Sequence, residues 1–328
     1  MTPVIRTTIN DASAWTTRST GGKEGFVRDL TPAQLAAIDD LLTRLRGIAT
    51  HDITRDLFSH PALTPLLAEL REEVMHGKGA VILRGVDGST RSREECERIF
   101  WGIGTHFGYA AVQSSRRDRI GYVREELDDP HRRGYRSSSE LVLHTDSRAI
   151  VALMTLQAAE SGGVSHLASS ATIHNIILRE RPDLLAPLYR GSRWHSSEVG
   201  VTRGNIPVFS NVDGCLSVMF FEDHIRRGAT TLGEPLAADL DEALAFFRTV
   251  ASRDEVRARF MLEPGEIMIC NNFVVLHART EFKNSAEKQR LLARLWLNVE
   301  PGRPTIPELH ERANFYDRTY DPNLMENA

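Results

Sequence analysis

The chain of 328 residues, 41% of them hydrophobic, is long enough to bury the core of one large or two small domains. With 40 Lys and Arg against 44 Asp and Glu, its formal charge is −4, and no basic run is interleaved with aromatic residues, which argues against nucleic acid as a partner. The absence of a signal-peptide pattern, of a membrane-spanning apolar run and of a disulfide framework among its three cysteines predicts a cytoplasmic globular protein that binds no membrane.

Three helices are predicted in the first part of the chain. The segments 31–45 and 59–74 each place leucines along one face at helical spacing, and the first begins with a Thr-Pro pair typical of a helix start. The segment AVILRGV at 80–86, between the second of these helices and the next one, is typical of a buried strand. Ser92 and Glu95 form a capping-box pattern, so another helix is expected to begin there.

Beyond residue 108 the pattern changes to short apolar strands separated by turns. The candidate strands are GYAAVQ, IGYVR, LVLHTDSRAIVALMTLQ, IPVFS, CLSVMFF, GEIMICNN, FVVLHART and LLARLWLNV. Many short strands with local turns favour a sandwich, a jelly roll or a barrel. Two helical insertions are predicted near 170–191 and 236–252. The polar segment 124–140 has almost nothing to bury, and we expect it to be a surface loop that acts as a lid.

His144, Asp146 and Arg148 occupy every second position of LVLHTDSRAIVAL. Side chains two apart in a strand point to the same face, so His144 and Asp146 can close on one metal ion. A hydrogen-bonded, exposed His-Asp pair is the simpler alternative, and the motif alone does not exclude it.

A third ligand candidate is His277, at the end of the apolar run FVVLHART. Two histidines and one carboxylate form the facial triad that binds non-haem Fe(II) and leaves coordination positions open for oxygen chemistry. Structural zinc would instead be closed by four protein ligands. The sequence therefore predicts an iron site that also binds a cosubstrate.

Arg290 and Arg294 lie four residues apart in the apolar run RLLARLWLNV, so they face the same side of a predicted strand. A buried guanidinium needs an anionic partner, because an unpaired buried charge is costly. An internal ion pair with a protein carboxylate is one solution, and the carboxylate of a bound ligand is the other.

Four motifs in this order, HTD, SGGVSHLASS, GEIMICNNFVVLHART and RLLARLWL, resemble the taurine dioxygenase and clavaminate synthase-like group of Fe(II)/2-oxoglutarate-dependent oxygenases over residues 78–300. The resemblance implies a mainly β fold with flanking helices and a double-stranded β-helix, or jelly-roll, core. It implies Fe(II) as metal, with 2-oxoglutarate and O₂ as cosubstrates. The residues that it implies are His144, Asp146 and His277 for iron, Arg290 and Ser165 for the distal carboxylate of 2-oxoglutarate, and Arg294 for substrate.

Two further residues are expected to contact substrate. Arg148 continues the alternation of the HTD strand, so we expect it, together with Arg294, to bind an anionic group, unless the chain bends after Asp146 and Arg148 is solvated or paired with a glutamate. Gln113 is expected to line the pocket, although a hydrogen bond to backbone is a common role for such a residue.

A second loop is expected at 194–209, a segment containing Gly and Ser. It is predicted to carry Glu198 or Arg203 toward substrate.

The resemblance implies hydroxylation of an unactivated C–H bond of a small molecule, either amino-acid-like or a specialised metabolite, with succinate and CO₂ as coproducts. Desaturation, epoxidation and ring formation stay open. The alternatives are a cupin-like metalloenzyme that does not use 2-oxoglutarate and a non-catalytic metal-binding protein on the same fold. We expect one oxygenase domain over 1–328, with a helical part at 1–77, the β-helix core at 78–300 and a tail at 301–328. The sequence leaves a homo-oligomer open.

Overall fold

The computed structural model describes residues 2–114, 116–126, 134–197 and 199–320. The α-helices are α1 (Thr17–Thr20), α2 (Pro32–Arg44), α3 (Thr64–His76), α4 (Arg93–Thr105), α5 (Ser170–Glu180), α6 (Leu185–Arg190), α7 (Glu222–Leu232), α8 (Ala238–Ala251) and α9 (Glu311–Tyr320). The strands are β1 (Val27–Asp29), β2 (Ala80–Arg84), β3 (Tyr109–Ala110), β4 (Ile120–Val123), β5 (Leu141–His144), β6 (Ile150–Gln157), β7 (Ser161–Gly162), β8 (Ser165–Ser169), β9 (His195–Ser196), β10 (Gly200–Val201), β11 (Phe209–Val212), β12 (Cys215–Val218), β13 (Arg257–Phe260), β14 (Ile267–Asn271), β15 (Val275–Arg279), β16 (Phe282–Lys283) and β17 (Leu291–Asn298).

The core is a jelly roll made of two sheets. The major sheet has the strand order β1-β2-β14-β6-β17-β3, with β4 also paired to β17, and the minor sheet has the order β13-β8-β15-β5. All of these pairs are antiparallel except β1 with β2. The fold predicted from the sequence, a β-helix core with flanking helices, is confirmed.

The first four residues of strand β14, IMIC, are apolar without alternation because both faces of the strand are covered. Ile267 and Ile269 pack into the cluster formed with helices α2, α3 and α4, whereas Met268 and Cys270 pack into the cluster between the two sheets. A strand that is covered on both faces buries every side chain, so no position favours a polar residue. Helices α5, α6 and α8 cover the outer face of the minor sheet in the same way.

The helix starts predicted from the sequence are confirmed at α2 and α4. Thr31 and Ser92 each accept a hydrogen bond from the backbone N–H three residues later, and the side chains of Gln34 and Glu95 bind back to the cap residues. These reciprocal bonds satisfy donors that the first turn leaves unpaired. None of the helices within the described ranges is long and apolar enough to cross a membrane.

The prediction of one continuous strand over residues 141–157 is wrong. Strand β5 ends at His144 and β6 begins at Ile150. Between them, the backbone N–H of Thr145 donates to the Phe220 carbonyl at 2.8 Å, and the Asn272 side chain accepts from the Asp146 N–H and donates to the Arg148 carbonyl. These bonds bend the chain, so the side chains after Asp146 no longer alternate between the two faces of one strand.

Helices α7 and α9 were not predicted, and the tail expected from residue 301 contains α9. The structure describes the two ends of the predicted lid, up to residue 126 and from residue 134. Residues 127–133 and Glu198, which was expected to approach substrate, lie outside the described residues.

Candidate active site

The two histidines lie side by side on paired strands. His144 ends β5, and it is the direct cross-strand partner of His277 on β15, with the ring centroids 4.3 Å apart. Directly opposite residues on one face of an antiparallel pair bring their side chains within a few ångströms of each other. The register of these strands therefore sets the spacing of the two imidazoles.

Asp146 completes the cluster from the bend that follows β5. Its Oδ2 lies 3.8 Å from Nε2 of His277 and accepts a hydrogen bond of 2.7 Å from Nε1 of Trp296. Burial raises the pKa of Asp146, but the charge of Arg294 and the hydrogen bond from Trp296 are among the influences that outweigh it, and the net pKa is lowered. The carboxylate is thus ionised and held in a fixed orientation.

One donor atom from each of His144, Asp146 and His277 lies within 4.8 Å of the other two. Two donors that share an ion at about 2.1 Å are at most about 4.2 Å apart, so small side-chain adjustments close the set on a metal. Burial lowers the pKa of both histidines, to about 3 for His277, which keeps the imidazoles neutral and able to bind metal. Nδ1 of His144 lies 2.8 Å from the Val142 carbonyl, so Nε2 keeps its lone pair for the metal.

Arg290 lies just before β17 with its guanidinium in the same cavity. It is buried, its Nη1 has no hydrogen-bond partner, and none of the ion pairs among the described residues includes it. Burial and the neighbouring Arg279 lower the pKa of Arg290 to about 9, so it remains charged at neutral pH. A buried cation of this kind needs an anion. Ser165, at the start of β8, lines the same cavity.

Gly163, in the SGG turn, makes room for that arginine. Its φ is +75°, and a Cβ at this position would lie 3.0 Å from Nε of Arg290. A side chain here would adopt a strained backbone conformation and would press against the guanidinium.

Gln113 holds Arg294 rather than pointing freely into the cavity. Its Oε1 accepts from Nε of Arg294 at 2.7 Å, and its Nε2 donates to the carbonyls of Arg294 and Arg119. The Arg294 guanidinium also lies over the rings of Tyr135 and Trp296, 4.3 and 4.2 Å from their centroids. Both Gln113 and Arg294 line the cavity, as expected. Arg294, however, already contacts protein groups through its Nε and through its guanidinium plane.

The expectation that Arg148 faces the cavity is wrong. Its guanidinium is 2% exposed and forms two hydrogen bonds with Asp317 on α9, at 2.7 and 2.8 Å, and a third with Asn298. The bend after Asp146 turns it away from the metal ligands. The alternative, that the chain bends and Arg148 is paired, is correct, although its partner is an aspartate on a helix that was not predicted.

Arg279, two residues after His277, is a site residue that sequence reasoning missed. It is buried and donates to the backbone carbonyls of Gly134, Ser137, Ser138 and Ser139, with distances of 3.1 Å to Gly134 and 2.7 Å to Ser139. The signal was present in the sequence, since an arginine in the apolar run FVVLHART needs partners. It fixes the segment 134–139, which carries Tyr135 to the cavity wall.

The cavity, about 190 Å³, continues from the metal ligands to helices α7 and α9. Asp223, His224 and Arg227 of α7 line this part, together with Arg312 and Tyr316 of α9. Burial lowers the pKa of His224 to about 2, so this imidazole is neutral. We call this part the distal end of the cavity.

Comparison with known proteins identifies the family. Residues 40–296 match the family described as "Taurine catabolism dioxygenase TauD, TfdA family". The chain belongs to this family. Its membership confirms the class predicted from the motifs, an Fe(II)/2-oxoglutarate-dependent oxygenase.

Individual relatives agree with this placement. FR-33289 synthase of Streptomyces rubellomurinus is 30% identical over 325 residues, covering 93% of this chain and 92% of the relative. Asparagine oxygenase, solved with Fe(II), 2S,3S-3-hydroxyasparagine and succinate, is 17% identical with a TM-score of 0.65, covering 83% and 93% of the two chains. The non-heme iron oxygenase OrfP, solved with Fe and alpha-ketoglutaric acid, is 13% identical with a TM-score of 0.61, covering 83% and 94%. The two solved structures share the fold of this TauD/TfdA chain.

Proposed function

We propose that this TauD/TfdA protein hydroxylates an unactivated C–H bond of a small molecule, with Fe(II) bound by His144, Asp146 and His277. The observation that carries the proposal is the pairing of this donor set with a buried arginine, Arg290, that has no anionic partner among the described residues. The donor set matches the facial triad of non-haem iron enzymes.

The chain's own residues fit the metal. His144 and His277 supply neutral imidazoles, and Asp146 supplies a charged oxygen that is oriented by Trp296. When bound, Fe(II) and 2-oxoglutarate activate O₂ for insertion of one oxygen atom into a C–H bond, giving succinate and CO₂.

The role that we assign to Arg290 is binding of the distal carboxylate of 2-oxoglutarate, assisted by the Ser165 hydroxyl. An arginine binds a carboxylate through two parallel hydrogen bonds, so it fixes orientation as well as charge. Three apolar residues of the major sheet, Val151, Leu153 and Leu292, also line the cavity, where they exclude water from the reacting groups.

An anaerobic titration of the apoprotein tests the proposal. Fe(II) followed by 2-oxoglutarate should produce the weak visible metal-to-ligand charge-transfer band. His144→Ala should lose metal binding, and Arg290→Ala should bind Fe(II) but need at least tenfold more 2-oxoglutarate, because a charged hydrogen bond is lost.

His195→Ala is the matched control, because His195 does not line the cavity and bonds to Thr231 instead. It should behave as the unmodified protein does. Iron binding without the band would contradict the use of 2-oxoglutarate and favour a cupin-like enzyme.

We also propose a cytoplasmic location and a single oxygenase domain. Cys96, Cys215 and Cys270 are free, which is consistent with a reducing compartment. Helices α2 and α3 pack against strands of the major sheet, so the helical part before residue 78 shares its core with the β-helix. The net charge of −4 argues against nucleic acid as a partner, and a homo-oligomer stays open.

A further inference from the structure

A second cavity, of about 310 Å³, lies on the side of the major sheet that faces the N-terminal helices. It is lined by residues of the loop 51–55, of the end of α4, of β3 and of β17, and we call it the outer cavity. No described residue lines both the outer cavity and the metal cavity with its distal end. Its volume falls within the range of pockets that bind small molecules, about 300–1,000 Å³.

Strand β17 separates the two cavities. Arg294 and Trp296 line the metal cavity, whereas their neighbours Leu295 and Leu297 line the outer cavity. Successive side chains of a strand point to opposite faces, so residues that contact a ligand in one cavity do not contact a ligand in the other. The outer cavity is therefore a site of its own.

The floor of the outer cavity is apolar and held in place. Ile53, Leu295 and Leu297 are almost fully buried, and Trp101 is fixed by a hydrogen bond of 2.9 Å from its Nε1 to the Ile53 carbonyl. The ring of His51 stacks on Trp101, with the centroids 4.7 Å apart. Aromatic rings favour stacked and edge-to-face partners, so this wall suits a flat, apolar ligand.

The rim of the outer cavity exposes an aromatic ring. Tyr109, in the edge strand β3, is 69% exposed, more than the other large hydrophobic residues on the surface of the described chain. Exposed apolar surface beside a cavity is typical of a binding site. A ligand seated on the floor would also cover this ring.

The charge of the outer cavity is positive, although the chain as a whole carries −4. Arg55 and Arg119 line it, and no acidic residue does so within the described ranges. Arg119 is held by a hydrogen bond from its Nη1 to the carbonyl of Ala110, another lining residue. Arg55 is exposed, and its guanidinium takes part in none of the ion pairs or hydrogen bonds among the described residues. A concave site of one sign attracts a ligand of the opposite sign.

From this combination we infer that the outer cavity binds an aromatic carboxylic acid, with the ring on the apolar floor and the carboxylate on Arg55. A guanidinium binds a carboxylate through paired hydrogen bonds. Burial of the ring supplies most of the affinity, and Arg55 selects the acid over a neutral analogue. The inference does not depend on the proposed function, because none of these residues lines the metal cavity.

Calorimetric titration of the whole protein tests the inference with 2-naphthoate as the probe. Its neutral amide, 2-naphthamide, tests the need for the acid, and dodecanoate tests an aliphatic chain in place of the aromatic ring. We expect 2-naphthoate to bind with a Kd below about 1 mM, and both analogues to bind at least threefold more weakly.

Two variants locate the bound acid. Arg55→Gln lies in an exposed loop and should remove the preference for 2-naphthoate over its amide. Ala110→Phe places a larger side chain in the outer cavity and should weaken binding of both compounds at least tenfold. Arg46→Gln is the matched control, because Arg46 is also exposed and outside every ion pair of the described residues but does not line the cavity. It should bind as the unmodified protein does.

The metal cavity also contains a guanidinium that can bind a carboxylate, and Arg290→Gln separates the two sites. This variant should keep 2-naphthoate binding, whereas a loss would place the acid in the metal cavity and overturn the inference. Equal binding of acid and amide, tighter binding of dodecanoate, or unchanged binding in Ala110→Phe would overturn it as well. The charge-transfer band should persist in Arg55→Gln, so failure of the proposed function is detected separately.

Discussion

At the scale of single residues, the metal ligands depend on neighbours that bind no metal themselves. Trp296 donates to the Asp146 carboxylate, and the Val142 carbonyl fixes the ring of His144. The Asn272 side chain accepts from the Asp146 N–H and donates to the Arg148 carbonyl. Such contacts determine which donor atom faces the ion and how basic it is.

Trp296→Phe removes the hydrogen bond to Asp146 and keeps most of the buried aromatic ring. We expect Fe(II) affinity to fall about tenfold, the lower end of the range for loss of a partner of a metal ligand. Competition with a chelator under anaerobic conditions measures it. Trp101→Phe is the control, because the Trp101 indole N–H also donates to a buried oxygen, the Ile53 carbonyl, within the helical layer. An equal loss of Fe(II) affinity in both variants would contradict the prediction.

The site residues differ in how visible they are in the sequence. His144, Asp146 and His277 stand out because polar residues interrupt apolar strands, and Arg290 stands out for the same reason. Trp296 does not, since an indole in an apolar strand is also explained by packing alone. Arg312 lies in a polar C-terminal segment where an arginine is common, and only the position of α9 makes it a site residue.

At the scale of elements, α9 is held to the core by a charged contact as well as by packing. Arg148 is 2% exposed, so Asp317 neutralises a charge that water cannot reach. Removing one partner of a buried pair leaves an uncompensated charge, which is costly.

Asp317→Asn should therefore loosen α9 and lower the free energy of unfolding by about 1–3 kcal/mol, less than for a fully buried pair because Asp317 is itself partly exposed. Compared with the unmodified protein, hydrogen exchange in the variant should become faster in α9, and it should change less in the sheets. Asp223→Asn breaks an exposed pair and should change stability by less than about 0.5 kcal/mol. Unchanged protection of α9 in Asp317→Asn would show that packing alone holds the helix.

The errors in predicting elements have two physical causes, contacts that are distant in sequence and the absence of local signals. The break between β5 and β6 is imposed by Thr145, Asn272 and Phe220, which are distant in sequence, whereas apolar periodicity reports only local preference. Capped helices such as α2 and α4 were predicted correctly because their start signals lie within four residues. Helix α7 has no side-chain cap and buries only Ile225 and Gly228, so it also lacks the apolar face that made the uncapped helix α8 predictable.

At the scale of the whole molecule, the apolar core is divided into layers by the two sheets, and buried histidines lie within it. Burial lowers the pKa of His166 and of His174 from 6.5 to about 4. The unfolded chain therefore binds protons at a higher pH than the folded chain does. Stability should fall as the pH drops from about 6.5 toward 4.

His174 alone should account for about 1–2 kcal/mol of the stability lost between pH 7 and pH 5, since one pKa unit corresponds to about 1.4 kcal/mol. Urea unfolding at both pH values measures the loss, and His174→Asn should reduce it. His76→Asn, at an exposed position, should leave it unchanged. An identical pH dependence in His174→Asn and the unmodified protein would contradict the prediction.

The hydrogen bonds from Arg279 to the segment 134–139 affect how freely the sequence of this segment can change over evolution. Arg279 binds main-chain carbonyls, which every residue type provides, so its contacts do not depend on the side chains at Ser137, Ser138 and Ser139. Of these side chains, that of Ser138 adds a hydrogen bond to Glu125. Gly134 and Tyr135, the residues of this segment that line the cavity, are thus held by contacts that tolerate changes at the neighbouring serines.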